Sequence, residues 1–141
     1  MSSNKTIVVT SIIENDHRIL ILKRSERVKS FRCVWSGVSG YFEKNEDLLS
    51  RALVEIYEET KINKRDLILK KILKETTVKI KDEKILVIQP FLFSSKTKNI
   101  SVNWENSEFR WIKENQIKNY DTVPKLREFL NECFTLINKD L

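Results

Sequence analysis

Apolar residues fall into several short stretches along this chain, each bounded by polar turn residues. Lys5 to Ile13 (KTIVVTSII) is rich in β-branched residues and reads as a central strand. Glu14-Asn15-Asp16-His17 supplies a turn. Arg18 to Lys23 (RILILK) is a second strand, paired with the first as a hairpin. Leu67 to Ile80 alternates and reads as one long strand, followed by the turn Lys81-Asp82-Glu83-Lys84 and the strand Ile85 to Phe93 (ILVIQPFLF). Pro90 has no N–H to give to a ladder, so it predicts a bulge or an edge position there. Trp104 to Ile112 (WENSEFRWI) ends in a strand on which Phe109 and Trp111 face one way and Glu108 and Arg110 the other.

Between these strands the period changes. Stepping about 100° per residue from Glu46 to Thr60 gathers Leu49, Ala52, Leu53, Ile56 and Tyr57 on one side. Arg51, Glu55, Glu58 and Glu59 gather on an adjacent side, so one face can enter a core while the other presents carboxylates to a cleft. Asn45 can cap this helix, and Glu46 and Asp47 suit its first turn. Lys113 to Asn119 reads as a short helix or turn. Asp121-Thr122-Val123-Pro124 reads as a helix start, with Pro early in the first turn. The closing helix then runs to about Asn138 and buries Val123, Leu126, Leu130, Phe134 and Ile137. The order is two strands, a strand into a helix, a hairpin, a strand and a helix. It predicts an α/β protein, a mixed sheet with helices on both faces, in a single domain over residues 1–141.

Composition narrows the setting. Hydrophobic content of 40% and charged content of 33% suit a soluble globular protein. No apolar run approaches the roughly 18 residues of a membrane span. The opening MSSNKTIVVTSII has no secretory pattern, and Cys33 and Cys133 are expected to be reduced thiols, so the expected location is cytoplasmic. The net charge of +6 suits polyanionic small molecules as readily as nucleic acid. There is no zinc-finger spacing and no basic motif interleaved with aromatics of the kind that binds single strands. His17, the only histidine, falls in a turn, and no nucleophile system assembles around it. The two glycines, Gly37 and Gly40, lie three residues apart beside the acidic helix. In a chain so sparing of glycine, they point to special backbone conformations or close approaches.

The acidic face conflicts with local electrostatics. Glu55 with Glu58 and with Glu59 are like charges at helical spacing, costing about 0.2–0.5 kcal/mol each. Glu58 and Glu59 also sit near the helix C-terminus, where the dipole disfavours anions by about 0.3–1 kcal/mol each. A solvated acidic surface, offset by Lys61, Lys64 and Arg65, is the plain structural explanation. The chemical one is a hard divalent cation, which takes carboxylate oxygens and is shared with substrate phosphates.

The spacing separates these two. The stretch from Gly40 to Ile62 (GYFEKNEDLLSRALVEIYEETKI) resembles the Nudix box, G-x5-E-x7-R-E-U-x-E-E-x-G-U, where U is a bulky aliphatic residue. Gly40, Glu46, Glu55, Ile56, Glu58, Glu59 and Ile62 match. Val54 stands where the family has arginine and Lys61 where it has glycine. Lys23-Arg24-Ser25 and the W-x-G-x-x-G pattern from Trp35 to Gly40 extend the likeness upstream. The resemblance implies the Nudix fold, an α/β/α sandwich with a mixed β-sheet. It also implies Mg²⁺-dependent attack of water on a nucleoside diphosphate linked to another group, with Mn²⁺ as a substitute. Glu55, Glu58, Glu59 and the backbone carbonyl of Ser39 are the implied metal ligands, with Glu55 or Glu58 as base. Gly40 and Glu46 are implied in support, and Arg51 is expected to replace the arginine missing at Val54. Glu105 or Glu108 would supply a further carboxylate. In the basic loop that carries Arg24, Arg27, Lys29 and Arg32, Arg24 directly follows the second strand and is the residue expected to meet substrate phosphate. Trp104, Phe109 and Trp111 at strand spacing read first as core, with stacking on a base as the alternative.

Partners follow from the same likeness: a nucleotide-type small molecule, no membrane, and a homodimer as the family expectation. Trimming of RNA 5′ ends is the nucleic-acid alternative. A Nudix-fold binding or regulatory module without turnover is the alternative that Val54 and Lys61 favour. A relative of isopentenyl-diphosphate isomerase would need a cysteine just after the Trp35 region, where this chain has Ser39 and Gly40, and Cys33 precedes that region.

Overall fold

The computed structural model describes residues 5–43 and 45–140. Strands β1 (Lys5–Asn15), β2 (Arg18–Arg24), β3 (Trp35–Ser36) and β4 (Val38–Tyr41) precede helix α1 (Leu48–Thr60). Strands β5 (Leu67–Ile72), β6 (Thr76–Lys79), β7 (Ile85–Ser95) and β8 (Asn106–Ile112) follow, and helix α2 (Leu126–Asp140) closes the chain. Short 3₁₀ turns cover Lys64–Asp66 and Glu114–Asn119.

All eight strands join one mixed sheet. β1 runs parallel to β7 from Lys5↔Ile85 to Glu14↔Ser94, while its other partners are antiparallel. The two-residue turn Asp16-His17, with φ of 52° and 61°, closes the first hairpin. That hairpin then opens. β1 and β2 pair only at Glu14↔Ile19 and Asn15↔Arg18 among the described residues. β7 holds the outer edge of β1 and β8 that of β2, so the segment from Trp35 to Tyr41 fills the wedge between them. β3 pairs with β2 and β4 with β1. Gly37 sits at the crossing, where a Cβ would come within 3.0 Å of the Ser11 carbonyl oxygen and 3.2 Å of Ile12 and Thr10 side-chain carbons.

Alternation on the central strands feeds two cores. Ile12, Ile19, Ile21 and Leu92 point to the face covered by α2, where they meet Leu126, Leu130, Phe134 and Ile137. Val9, Ile13, Leu20, Leu22, Phe91 and Phe93 point to the other face, against Ala52 and Ile56 of α1. Phe109 and Trp111 join that second cluster, as their common parity requires. The layers are therefore α/β/α, as expected.

Three local expectations change. The long strand over Leu67–Ile80 is divided between β5 and β6, because its partner carries Pro90. Pro90 lies on β7, between β1 and the β5/β6 pair, so it marks a bulge and not an edge. Leu73 N–H donates to the Pro90 carbonyl (3.0 Å). The Leu73 carbonyl, which Pro90 cannot serve, accepts instead from the Gln89 side-chain amide (2.8 Å). Secondly, α1 begins at Leu48 with Asp47 as its cap, whose carboxylate accepts from Ser50 N–H (2.7 Å), while Asn45 adopts φ 69° in the preceding loop. Glu46 therefore lies before the helix. Thirdly, Pro124 precedes α2, and Val123 is only half-buried. Trp35 N–H donates to Asp121 (2.9 Å) and Val123 N–H to Trp35 (3.0 Å), so residues 121–123 lie parallel beside β3 in a single bridge before a turn at Lys125, φ 71°.

Candidate functional site

The wedge that opens the sheet also builds the site. β4 ends at Ser39, Gly40 and Tyr41 beside α1, and the absent side chain of Gly40 admits Glu55. A Cβ at Gly40 would overlap the Glu55 carboxylate. Neither glycine has positive φ, so close approach and not backbone freedom explains this one. Glu55 then joins the wall of a cavity of about 200 Å³ on the α2 side of the sheet. Val8, Thr10, Leu86 and Ile88 form its floor, Ser39, Gly40 and Glu105 its acidic end, and Val123, Leu126 and Phe129 its cover.

One helical turn on, Glu59 is buried at 4% exposure. Its Oε1 accepts from the Asn106 side-chain amide (3.2 Å), whereas its Oε2 has no hydrogen-bond donor. Burial, then the Glu105 and Glu55 carboxylates, push its pKa well above the usual range. Burial also raises the pKa of Glu55, opposed by the guanidinium of Arg51. Glu105 is held by a turn: its N–H donates to Asn103 Oδ1 (3.1 Å), its carboxylate accepts from Asn103 Nδ2 (3.3 Å), and its carbonyl accepts from Ser25 N–H (2.8 Å).

Arg51 organises the approach to this cluster. Its side chain, 16% exposed, donates from Nε and Nη2 to both oxygens of Glu46 (2.9 and 3.0 Å) and from Nη1 to Glu55 (2.8 Å). That grip holds the Glu46 carboxyl below its ordinary pKa, helped by the Glu43 N–H. Val54, where the likeness wanted arginine, is 43% exposed and turned away. Lys61 occupies the left-handed position after α1 (φ 66°), its N–H donating to Tyr57 (2.9 Å) and its ammonium 5.0 Å from the Tyr57 ring centre.

The remaining expected residues divide. Ser39 and Arg24 line the cavity with Glu55 and Glu105. Ser39 Oγ lies 3.2 Å from Thr10 Oγ1, and Arg24 Nε donates to the Ser30 carbonyl (3.0 Å). Glu58 is exposed one residue from Glu59, near Glu55, with no ion pair among the described residues. Glu108 is elsewhere: it pairs with Arg110 (2.9 Å) and Lys23 (3.6 Å), off the cavity wall. Trp104 stacks under Arg27 in solvent, and Phe109 and Trp111, partly buried, pack against the core on the α1 face. The aromatic rings on the cavity are instead Phe31, Tyr41 and Phe129. Asn106 also escaped the sequence reading, since a polar residue opening a strand carries no periodic signal. Both cysteines are free, Cys33 exposed and Cys133 buried.

Among the described residues, no three His, Cys, Asp or Glu side chains converge into a ready-made metal cage. Mg²⁺ does not ask for one, since it binds through one or two carboxylates and takes its other oxygens from water and substrate. Glu59, with its donor-less Oε2 and the Glu55 and Glu105 carboxylates nearby, offers oxygen ligands of the kind a divalent cation takes.

Known structures repeat this fold. A MutT protein from Methanosarcina mazei Go1 superposes with a TM-score of 0.81 at 23% identity, covering 99% of each chain. A C. elegans Ap4A hydrolase binary complex gives 0.82 at 15% identity, covering 96% of this chain and 99% of that one. The NUDIX domain of Shewanella oneidensis NrtR, complexed with ADP ribose, gives 0.79 at 13% identity over 94% and 88%. No curated protein matches the chain. No helix among the described residues is long and apolar enough to cross a membrane. The model of the NUDIX domain matches residues 4–133, and with the box from Gly40 to Ile62 in register on β4 and α1, the chain belongs to the Nudix family.

Proposed function

We propose that this protein is a Mg²⁺-dependent pyrophosphohydrolase that cleaves a nucleoside diphosphate linked to another moiety. The observation that carries this reading is Glu59: a buried carboxylate with one oxygen lacking a donor, set against Glu55 and Glu105 beside a cavity. Evolution towards stability alone would not leave such a group.

Glu55, Glu59 and the Ser39 carbonyl would hold the cation, with Glu58 as a further ligand from the solvent side. When bound, Mg²⁺ or Mn²⁺ supplies charge neutralisation of the diphosphate and lowers the pKa of water. Glu58 is exposed and can orient or deprotonate the attacking water, and Glu105 can do so from the opposite wall. Arg24, already on the cavity wall, would meet a phosphate oxygen. Arg51 positions Glu55 and the Glu46 loop, the task the family gives to arginine at the place of Val54. Glu108, paired with Lys23 and Arg110 and off the cavity wall, is given no role in this reading. The apolar cavity takes the organic part of the substrate between Tyr41, Phe31 and Phe129. Nucleoside triphosphates, ADP-ribose-like molecules and dinucleoside polyphosphates are the candidates. The last two are supported by the ADP ribose and Ap4A in the names of structural neighbours.

The test is hydrolysis of such a panel with and without Mg²⁺, using Glu58→Gln as control. Metal-dependent release by the wild type, reduced at least tenfold in the variant, is expected. No turnover on any member, with tight nucleotide binding retained, would replace this reading with the binding-module one.

A further inference from the structure

Glu59 owes its orientation to a residue outside the helix. Asn106 opens β8, is buried, and donates from Nδ2 to Glu59 Oε1 (3.2 Å). It is delivered by the turn that also fixes Glu105: Asn106 N–H donates to the Asn103 carbonyl (3.2 Å), and Asn103 grips Glu105 from both sides. Two consecutive residues thus reach α1 from the far wall with opposite polarity, a carboxylate and an amide donor. The donor takes one oxygen of Glu59, and the other is left without a partner. Held at Oε1 in a close-packed site, the Glu59 carboxylate is restrained from turning, with Glu55 and Glu105 as its charged neighbours.

Resting on the pyrophosphohydrolase reading above, we infer that Asn106 is a positioning residue for the cation site. By anchoring Glu59 Oε1 it keeps Oε2 aimed where a divalent ion binds. It touches neither cation nor substrate and acts only through Glu59. Partners that orient a metal-binding side chain typically change metal affinity by about 10–100-fold when removed.

The experiment is Mn²⁺ binding to the substrate-free protein, read by calorimetry, together with the Tm increment that Mn²⁺ gives. Asn106→Leu keeps the volume and removes the donor. Asn106→Ser keeps a shorter donor and serves where the leucine variant fails to fold. The expected result is a Mn²⁺ Kd raised about tenfold or more in Asn106→Leu, with a smaller rise in Asn106→Ser. The Mn²⁺-induced Tm increment should shrink in the same order, and kcat should fall with KM little changed. A merely structural asparagine would lower Tm equally with and without Mn²⁺ and leave Kd alone, and that result overturns the inference while sparing the pyrophosphohydrolase reading. Failure of the wild type to bind Mn²⁺ would overturn both.

Discussion

The carboxyl group of Glu55 rests against the α-carbon of Gly40, in space that any other residue's side chain would occupy. Gly40 has an ordinary backbone conformation, so alanine there is tolerated by the chain and rejected by its neighbour. Gly40→Ala should fold, lose about 1–3 kcal/mol through overpacking, and bind Mn²⁺ at least tenfold more weakly. Adding Glu55→Ala should restore most of the stability and none of the metal affinity. Urea denaturation and calorimetry on the single and double variants check this, and a single variant that binds Mn²⁺ normally would contradict it.

Arg51 holds two carboxylates at once, Glu46 by a two-point grip and Glu55 by a third donor. A lysine offers one ammonium in place of that planar fork. Arg51→Ala and Arg51→Lys should therefore behave alike, each losing about 10–100-fold in kcat or metal affinity. Unchanged turnover and Mn²⁺ affinity in Arg51→Ala would show that the place of Val54 needs no substitute.

Much of this was legible in the residues. The strands over Arg18–Lys23 and Ile85–Phe93 read correctly because both faces of a central strand are buried and leave a continuous apolar run. The acidic register on α1 reads correctly because a helix fixes where its residues stand relative to one another. What escaped depends on contacts distant in sequence. The wedge between β1 and β2 exists only because Trp35–Tyr41 comes to fill it. Pro90 reads as a break, but its remedy, the Gln89 amide on Leu73, is invisible until the strands are paired. Residues 121–124 read as a helix start and instead follow Trp35. Glu105 and Glu108 look equivalent in the chain, and only the Asn103 turn sends one to the cavity while Lys23 and Arg110 hold the other.

Lys61 adopts a left-handed conformation that costs a residue with a side chain about 1 kcal/mol relative to glycine. Its ammonium over Tyr57 returns about 0.5 kcal/mol. Lys61→Gly, which restores the family's glycine, should therefore stabilise by about 0.5 kcal/mol and raise Tm by ~2 °C. Activity should be unchanged. A lower Tm on scanning calorimetry would show that the contact with Tyr57 outweighs the backbone term.

Cys133 lies fully inside the core under α2, and burial, with the nearby Glu132 charge, pushes its thiol from 9.0 up to about 12. The folded protein therefore resists losing that proton more than the unfolded chain does. Its contribution to stability is complete below pH 9.0 and is lost as the pH rises towards about 12, at about 1.4 kcal/mol per pH unit. Cys133→Val removes the thiol, so its stability should fall less steeply than that of the wild type between pH 9 and 11, as measured by urea denaturation. Parallel profiles would refute a role for this thiol.

On the proposed reading, Glu55 and the buried Glu59 of α1 seat a divalent cation beside the cavity. Anomalous scattering from crystals soaked in Mn²⁺ tests it without reference to any substrate. The expected result is a peak bounded by Glu55, Glu59 and the Ser39 carbonyl, absent from Glu59→Gln crystals. Wild-type crystals with no peak between those residues, and Glu59 still buried without a cation, would contradict it.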